Sequence, residues 1–315
     1  MPRKFDRVPE LSLKSYTDGS AAARAAFIDA LREGFEHFGF IILKDHAASP
    51  ALLQRAYRLA AEFFALPESE KRRYRGPDGQ RGYTPFGAEH AKDSTIPDLK
   101  EFWHVGREFE AASPLARVYP PNIWPERPER FRDVFLTLYD ALERAGMAML
   151  EALAPSLGLS RDYFRDMAGD GNSILRLLHY PPVSPDAAAG ALRAAPHEDI
   201  NLITILVAAN GAGLELLDRD GKWLPVDTEP DNLIVDAGDM LARATNDVIP
   251  ATTHRVVNPP ETANVSRYSM PFFMHPRPGA VLSCIESCRG AGAKYEAVTA
   301  DAFLRQRLKE IGLAG

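Results

Sequence analysis

In the stretch PHEDINLITIL (196–206), one histidine and two carboxylates stand directly in front of a run of apolar, β-branched residues. His197 and Asp199 are two positions apart, so on an extended chain their side chains share a face, while Glu198 points to the other. An imidazole and a carboxylate on one face can grip a common divalent ion, and such a pair calls for a third ligand. The segment ATTHRVV places His254 in another β-prone stretch, from which it can join the pair across neighbouring strands and complete a facial triad of two histidines and one carboxylate. The H-x-D spacing alone is a weak signal in a chain with 43 acidic residues. A surface turn ahead of a strand accounts for it equally well.

A second constellation follows in RYSMPFF (267–273), where Arg267 and Ser269 also share a strand face. A guanidinium fork with a hydroxyl beside it suits a carboxylate, bound bidentately with one further hydrogen bond. The segments carrying His254 and Arg267 are expected to form a hairpin closed over NPPETAN (258–264). Register decides whether Arg267 faces the histidine, since a slip of one residue would reverse it.

These residues need a scaffold, and a chain of 315 residues can bury a substantial core as one or two domains. The expected core begins near residue 173, where short runs alternate with turn residues: ILRLLHY, NLITILVA, LELLD, KWLPV, NLIVDAG, THRVV and RYSMPFF. So many short strands with close turns predict an antiparallel sandwich or barrel, here a mainly β, jelly-roll core flanked by helices. Such cores can carry ligands between their sheets, which gives charges at a strand mouth a purpose. Upstream, Phe27, Leu31, Phe35 and Phe38 recur at helical spacing before Gly39 breaks the pattern ahead of the strand FIIL. Ser49-Pro50 offers an N-cap with proline at the first helical position, and Leu53, Tyr57, Ala60 and Phe64 continue one apolar face as far as Pro67. From Gly76 to about Pro128 the text is Gly, Pro and aromatic-rich, and reads as ordered loops with short strands. A helix is expected over 129–158 from Phe131, Phe135, Leu138, Leu142 and Met149, and a short one after Ser160. Near the C-terminus, Phe303, Leu304, Leu308 and Ile311 mark an amphipathic helix, expected to pack on the N-terminal helices or to act as a lid.

Composition narrows the partners. With 45% hydrophobic and 25% charged residues the chain reads as an ordinary soluble protein, and no apolar run approaches the roughly 18 residues that cross a bilayer. No membrane partner is expected, and without a secretory signal the cytoplasm is the expected compartment. A net charge of -6 argues against nucleic acid as a partner, and KRRYR (71–75) reads as a solvated helix end. Cys284 and Cys288 are too few for a disulfide framework, and their spacing fits neither a zinc knuckle nor a redox motif.

H-x-D, a distal histidine and then R-x-S, in that order on expected strands, resemble the iron(II)- and 2-oxoglutarate-dependent oxygenases, specifically their isopenicillin N synthase-like branch. HEDINLITIL, GLEL, WLPV, GDML, THRVVNP and RYSMPFF are similar to that branch's core. FGFIILKDH, FFALPESEK, RGY and DLKEFW are similar to its helical part, so the resemblance covers nearly the whole chain. It implies a single oxygenase domain over 1–315, with an N-terminal helical and loop portion (1–172), a metal-binding double-stranded β-helix core (173–280) and a C-terminal segment (281–315). It further implies Fe(II) held by His197, Asp199 and His254, with dioxygen and 2-oxoglutarate as co-substrates. The far carboxylate of 2-oxoglutarate falls to Arg267 and Ser269, with Tyr180 as a further contact. The substrate implied is a small organic molecule that is hydroxylated, desaturated or cyclised.

One departure bears on the co-substrate. Many plant members read NYYP where this chain reads LHYP (178–181), so Tyr180 matches while Leu178 replaces an asparagine. Members that use no 2-oxoglutarate keep R-x-S for the substrate's own carboxylate, which makes an iron oxidase of the same fold the nearest alternative. A cupin-like zinc hydrolase and a non-enzymatic small-acid binder are further alternatives. Among the remaining residues, His179 alternates to the face opposite Tyr180 and is expected to be packed, and His46 is expected to make a structural hydrogen bond. Arg81, Tyr83, Lys100, Trp103 and His104 belong to loops that in the family approach the substrate side of the iron. Phe272 and Phe273 are expected in the core.

Overall fold

Local sequence sets the element ends, and long-range pairing then arranges the elements into two facing sheets. The computed structural model describes residues 7–77, 79–89, 98–110, 112–184, 192–208, 213–257 and 264–310. The chain begins with β1 (Glu10–Ser12), α1 (Leu13–Thr17), α2 (Ala21–Phe38), β2 (Phe40–Lys44), α3 (Pro50–Phe64) and α4 (Glu68–Lys71). It continues through β3 (Gly82–Thr84), β4 (Glu101–Gly106), α5 (Phe131–Ser156), α6 (Tyr163–Ala168) and β5 (Ile174–Tyr180). Next come β6 (Ala194–His197), β7 (Ile203–Val207), β8 (Leu214–Leu217), β9 (Trp223–Pro225), β10 (Leu233–Ala237) and α7 (Asp239–Ala244). The last elements are β11 (His254–Val256), β12 (Arg267–Met274), β13 (Val281–Leu282), β14 (Val298–Thr299) and α8 (Ala300–Glu310).

The Ser49 hydroxyl accepts the Leu52 N–H and Pro50 opens α3, as the sequence predicts. Helix α2 ends at Gly39, whose φ of 67° is left-handed. A Cβ at Gly39 would lie 2.3 Å from Thr252 Oγ1 and 2.7 Å from the Pro250 carbonyl, so both conformation and space require glycine there. The Thr252 hydroxyl in turn donates to the Phe38 carbonyl at 2.7 Å.

Eight strands form one sheet in the order β1-β2-β10-β7-β12-β5-β4-β3, and four form a second in the order β6-β11-β8-β9. Alternation along the strands divides the large sheet's side chains. Ile41, Leu43, Ile203, Ile205, Val235, Leu175, Leu177, Met270 and Phe272 share one core with the buried faces of α2, α3 and α5. Phe40, Ile42 and Ile234 instead meet Leu214, Leu216 and Val256 of the small sheet. The space between the sheets is therefore reached by every second residue of β2, β10, β7, β12 and β5. This is a double-stranded β-helix with its helices outside the large sheet.

Three expectations need correction. His254 and Arg267 do not lie on one hairpin: β11 runs between β6 and β8 of the small sheet, and β12 between β7 and β5 of the large one. From β5 to β8 and again from β9 to β12, consecutive strands cross from sheet to sheet, and residues 258–263 of the connection lie outside the described residues. Helix α8 docks chiefly on α7 and β14, through Arg307–Asp239 at 3.0 Å and Phe303 under Arg243, where the N-terminal helices were expected. Ile311 lies outside the described residues. Finally, KRRYR is solvated only at its arginines, because Lys71 is buried and its ammonium meets Glu101 at 2.7 Å. Among the described residues no helix is long and apolar enough to cross a membrane.

Candidate metal centre and cavity

Strand β6 ends on His197, and the β6–β11 register sets it opposite His254, with the ring centroids 4.4 Å apart. Asp199 follows at the turn into β7. Candidate donor atoms of the three residues all lie within 4.8 Å of one another. Each ring is fixed by its far nitrogen. His197 Nδ1 lies 2.7 Å from the Ala195 carbonyl and His254 Nδ1 3.1 Å from the Thr252 carbonyl, so both carry a proton on Nδ1 and turn Nε2 lone pairs inward. Asp199 Oδ1 faces these nitrogens at 3.8 and 4.0 Å, too far for hydrogen bonds. Its other oxygen accepts from the Thr204 hydroxyl, which itself accepts from Asn201 Nδ2 at 3.0 Å. The turn is anchored from behind, because the Asp239 N–H at the start of α7 donates to the Asp199 carbonyl at 2.7 Å.

Two imidazole lone pairs and one carboxylate oxygen on a common centre are a fitting donor set for iron(II). Desolvation and the neighbouring His254 lower His197 below the ordinary imidazole value, which favours the neutral ring that can ligate. Asp236, on β10 opposite Thr204, lines the same space, and burial together with Asp199 pushes its carboxyl well above the usual range.

The triad opens on a cavity of about 600 Å³, mouth included, and Arg267 and Ser269 line it from β12. Register places Arg267 opposite Tyr180 and Ser269 opposite Leu178, which turns both R-x-S side chains inward. Arg267 is 2% exposed, hydrogen-bonds Tyr180 and lies with its guanidinium carbon 5.2 Å from that ring's centroid. Arg193 lies close enough to Arg267 for the two charges to interact, and it donates to the Val265 carbonyl at 2.9 Å.

Comparison with known proteins agrees with this geometry. Residues 171–276 match the 2OG-Fe(II) oxygenase superfamily, and residues 8–127 match the N-terminal family described as non-haem dioxygenase in morphine synthesis. A 2-oxoglutarate-Fe(II) type oxidoreductase of Aspergillus fumigatus is 31% identical over 294 residues, covering 90% of this chain and 86% of that one. The chain belongs to the 2-oxoglutarate–iron(II) oxygenase superfamily. A solved 2OG-Fe(II) oxygenase family protein from Caulobacter crescentus superposes with a TM-score of 0.87 at 43% identity, covering 98% of this chain and all of that one. A full-length Neurospora crassa protein, solved in complex with alpha-KG and thymine, gives a TM-score of 0.85 at 29% identity, covering 96% of each chain. The protein is thus a non-haem iron enzyme that couples oxidative decarboxylation of 2-oxoglutarate to oxidation of a small organic substrate.

Within this oxygenase the other singled-out residues separate clearly. Of Arg81, Tyr83, Lys100, Trp103 and His104, only Lys100 lines the cavity. Trp103 and Tyr83 face the helical core, and Arg81 packs under Gly106 beside Asn172. His104 supports Arg176, whose Nε donates to His104 Nε2 at 2.7 Å. His179 faces away as expected, 2.7 Å from Glu101, and His46 Nε2 meets the Asp231 carbonyl at 2.7 Å. Phe272 is core, whereas Phe273 lines the cavity, contrary to expectation, because alternation along β12 sends it to the inner face. Arg176, Thr204 and Asp236 escaped the sequence reading. Arg176 was accessible to it, since Arg176, Leu178 and Tyr180 share one face of β5.

Proposed function

We propose that His197, Asp199 and His254 hold the iron, and that Arg267, Ser269 and Tyr180 hold the far carboxylate of 2-oxoglutarate. The observation that carries this reading is that all six line one cavity, with the triad and the arginine facing the same space. When bound, iron(II) supplies the redox chemistry through which dioxygen and 2-oxoglutarate give succinate, carbon dioxide and an oxidised substrate.

The chain's own residues then have separable tasks. Two Nδ1–H groups on backbone carbonyls and the Thr204 hydroxyl on Asp199 keep three donor atoms aimed at one point. The Arg267 fork neutralises and orients a carboxylate in a space with little water, where Tyr180 holds the guanidinium in place. Leu178, Leu206, Pro271 and Phe273 give the remaining space apolar walls that exclude bulk water from the oxidation. The substrate is a small molecule accommodated there, a reading supported by the thymine named in the Neurospora complex.

The test is anaerobic titration of the Fe(II) protein with 2-oxoglutarate, followed by its visible charge-transfer band. Arg267→Ala leaves the carboxylate without its charged partner, and we expect a loss of about 2–5 kcal/mol, or thirty-fold to several thousand-fold in affinity. Lysine should restore only part of it, having charge without the planar fork. Unchanged affinity in Arg267→Ala would place the co-substrate anchor elsewhere.

A further inference from the structure

One charged cluster in the cavity has no task in the reading above. Lys100 lines the cavity just before β4, and its ammonium meets Asp98 at 2.8 Å and Glu89 at 3.1 Å. An ammonium has three N–H donors, so these two carboxylates leave one for an occupant of the cavity. The bracket around it is built. Asp98 Oδ1 also accepts the Ala195 N–H at 3.1 Å, which ties it to the strand that carries His197. Glu89 is gripped by both terminal nitrogens of Arg176, at 3.1 and 3.2 Å. The Arg176 guanidinium carbon lies 4.2 Å from the Phe102 centroid and 5.3 Å from that of Phe273.

We propose that Lys100 is the substrate-recognising donor of this oxygenase, specific for a small neutral molecule that presents a carbonyl or amide oxygen, with Arg176 as the positioning residue that holds Glu89 beneath it. The proposal rests on the reading that the triad and Arg267 hold iron and co-substrate. Location supports it: Lys100 lines the cavity from just before β4 and Arg176 from the start of β5, four residues from Tyr180, whereas Arg267 and Ser269 line it from β12.

Charge decides the class. Burial works against a charged lysine, but Glu89 and Asp98 keep the ammonium protonated. Burial likewise works against an ionised Glu89, but Arg176 and Lys100 hold it far below the usual carboxylate range. His104 stays neutral through burial and the adjacent Arg176. Two cations therefore face two carboxylates, and the cluster is balanced before any ligand arrives. A substrate carboxylate would meet one N–H together with two existing anions, a poor return for its desolvation. A neutral carbonyl accepts that N–H at no such cost, and the Leu178, Leu206, Pro271 and Phe273 walls suit the rest of an uncharged molecule.

The experiment uses the full chain with Fe(II) and 2-oxoglutarate under anaerobic conditions, and titrates matched pairs of probes by calorimetry: benzamide against benzoate, and valeramide against valerate. Wild type should bind the amides at least about tenfold more tightly than the matched acids, and Lys100→Met should lose about tenfold or more for the amides. Because that variant leaves a buried carboxylate unbalanced, Lys100→Met/Glu89→Gln, which removes one charge of each sign, is measured beside it and should show the same loss. Affinity for 2-oxoglutarate should stay within a few-fold in both. The proposal is overturned by tighter binding of the acids, by no amide binding to wild type, by full amide affinity in the folded double variant, or by a parallel fall in 2-oxoglutarate affinity. Failure of the underlying reading is distinguishable, because wild type would then not bind 2-oxoglutarate at all.

Discussion

Two histidine–carboxylate clusters, one on the large sheet and one with both histidines on the small sheet, are built around the same imidazole and carboxylate groups. In one, His179 Nδ1 meets Glu101 at 2.7 Å and Nε2 meets the Ser266 hydroxyl at 3.0 Å. Lys71 and Tyr83 take the remaining capacity of Glu101, and Phe64 and Tyr268 stack on the ring. In the other, His197 and His254 satisfy only Nδ1, and their Nε2 atoms stop 3.8 and 4.0 Å from Asp199. Identity of residues does not distinguish a ligand set from a structural knot. The gap does: one cluster closes on itself, and the other leaves lone pairs converging on a space.

That contrast can be broken most directly at the three proposed ligands. Alanine at His197, Asp199 or His254 should abolish iron binding and turnover, measured by metal analysis and succinate formation, while the melting temperature stays near wild type. A triple set of variants that kept its iron would erase the distinction. The closed cluster should respond the opposite way. Glu101→Gln strands the buried Lys71 ammonium, and we expect a loss of about 3–5 kcal/mol in urea unfolding with iron affinity unchanged. Burial alone would raise the Glu101 carboxyl, but its bonds to His179, Lys71 and Tyr83 lower it. Its contribution is therefore full above the unfolded carboxylate value of about 4.3 and fades as pH falls through the depressed folded value, so wild type and Glu101→Gln should converge in acid. The smallest effect sharpens the picture. Thr204→Val removes the hydroxyl that donates to Asp199 while leaving all three proposed ligands in place, and should cost about ten- to a hundred-fold in Fe(II) affinity.

Local rules made half of this legible beforehand. Period-two alternation put His197 with Asp199 and Arg267 with Ser269, and cap chemistry placed Gly39 and the Ser49–Pro50 start, because each depends on near neighbours alone. The sheet partners did not follow from such rules. His254 pairs with His197 in the small sheet while Arg267 pairs with Tyr180 in the large one, and that choice belongs to the crossing topology. Phe273 departs from expectation for a related reason: within one apolar run, alternate residues serve the core and the cavity. Glu89, Arg176 and His104 form one bracket from three separate segments, and no spacing in the chain connects them.

Gly39 joins the halves of the molecule in a way that bears on modularity. The family matches divide the chain into 8–127 and 171–276, as though a helical module preceded a catalytic one. Yet α2 turns at Gly39 against Thr252, whose hydroxyl holds the Phe38 carbonyl and whose own carbonyl holds the Nδ1 proton of His254. The proposed distal ligand is thus braced by the end of the first long helix. A graft, fusion or fragment carrying only the second match would bring the three proposed ligands and leave behind the strut that aims one of them, so the two parts should be exchanged between relatives only as a matched set.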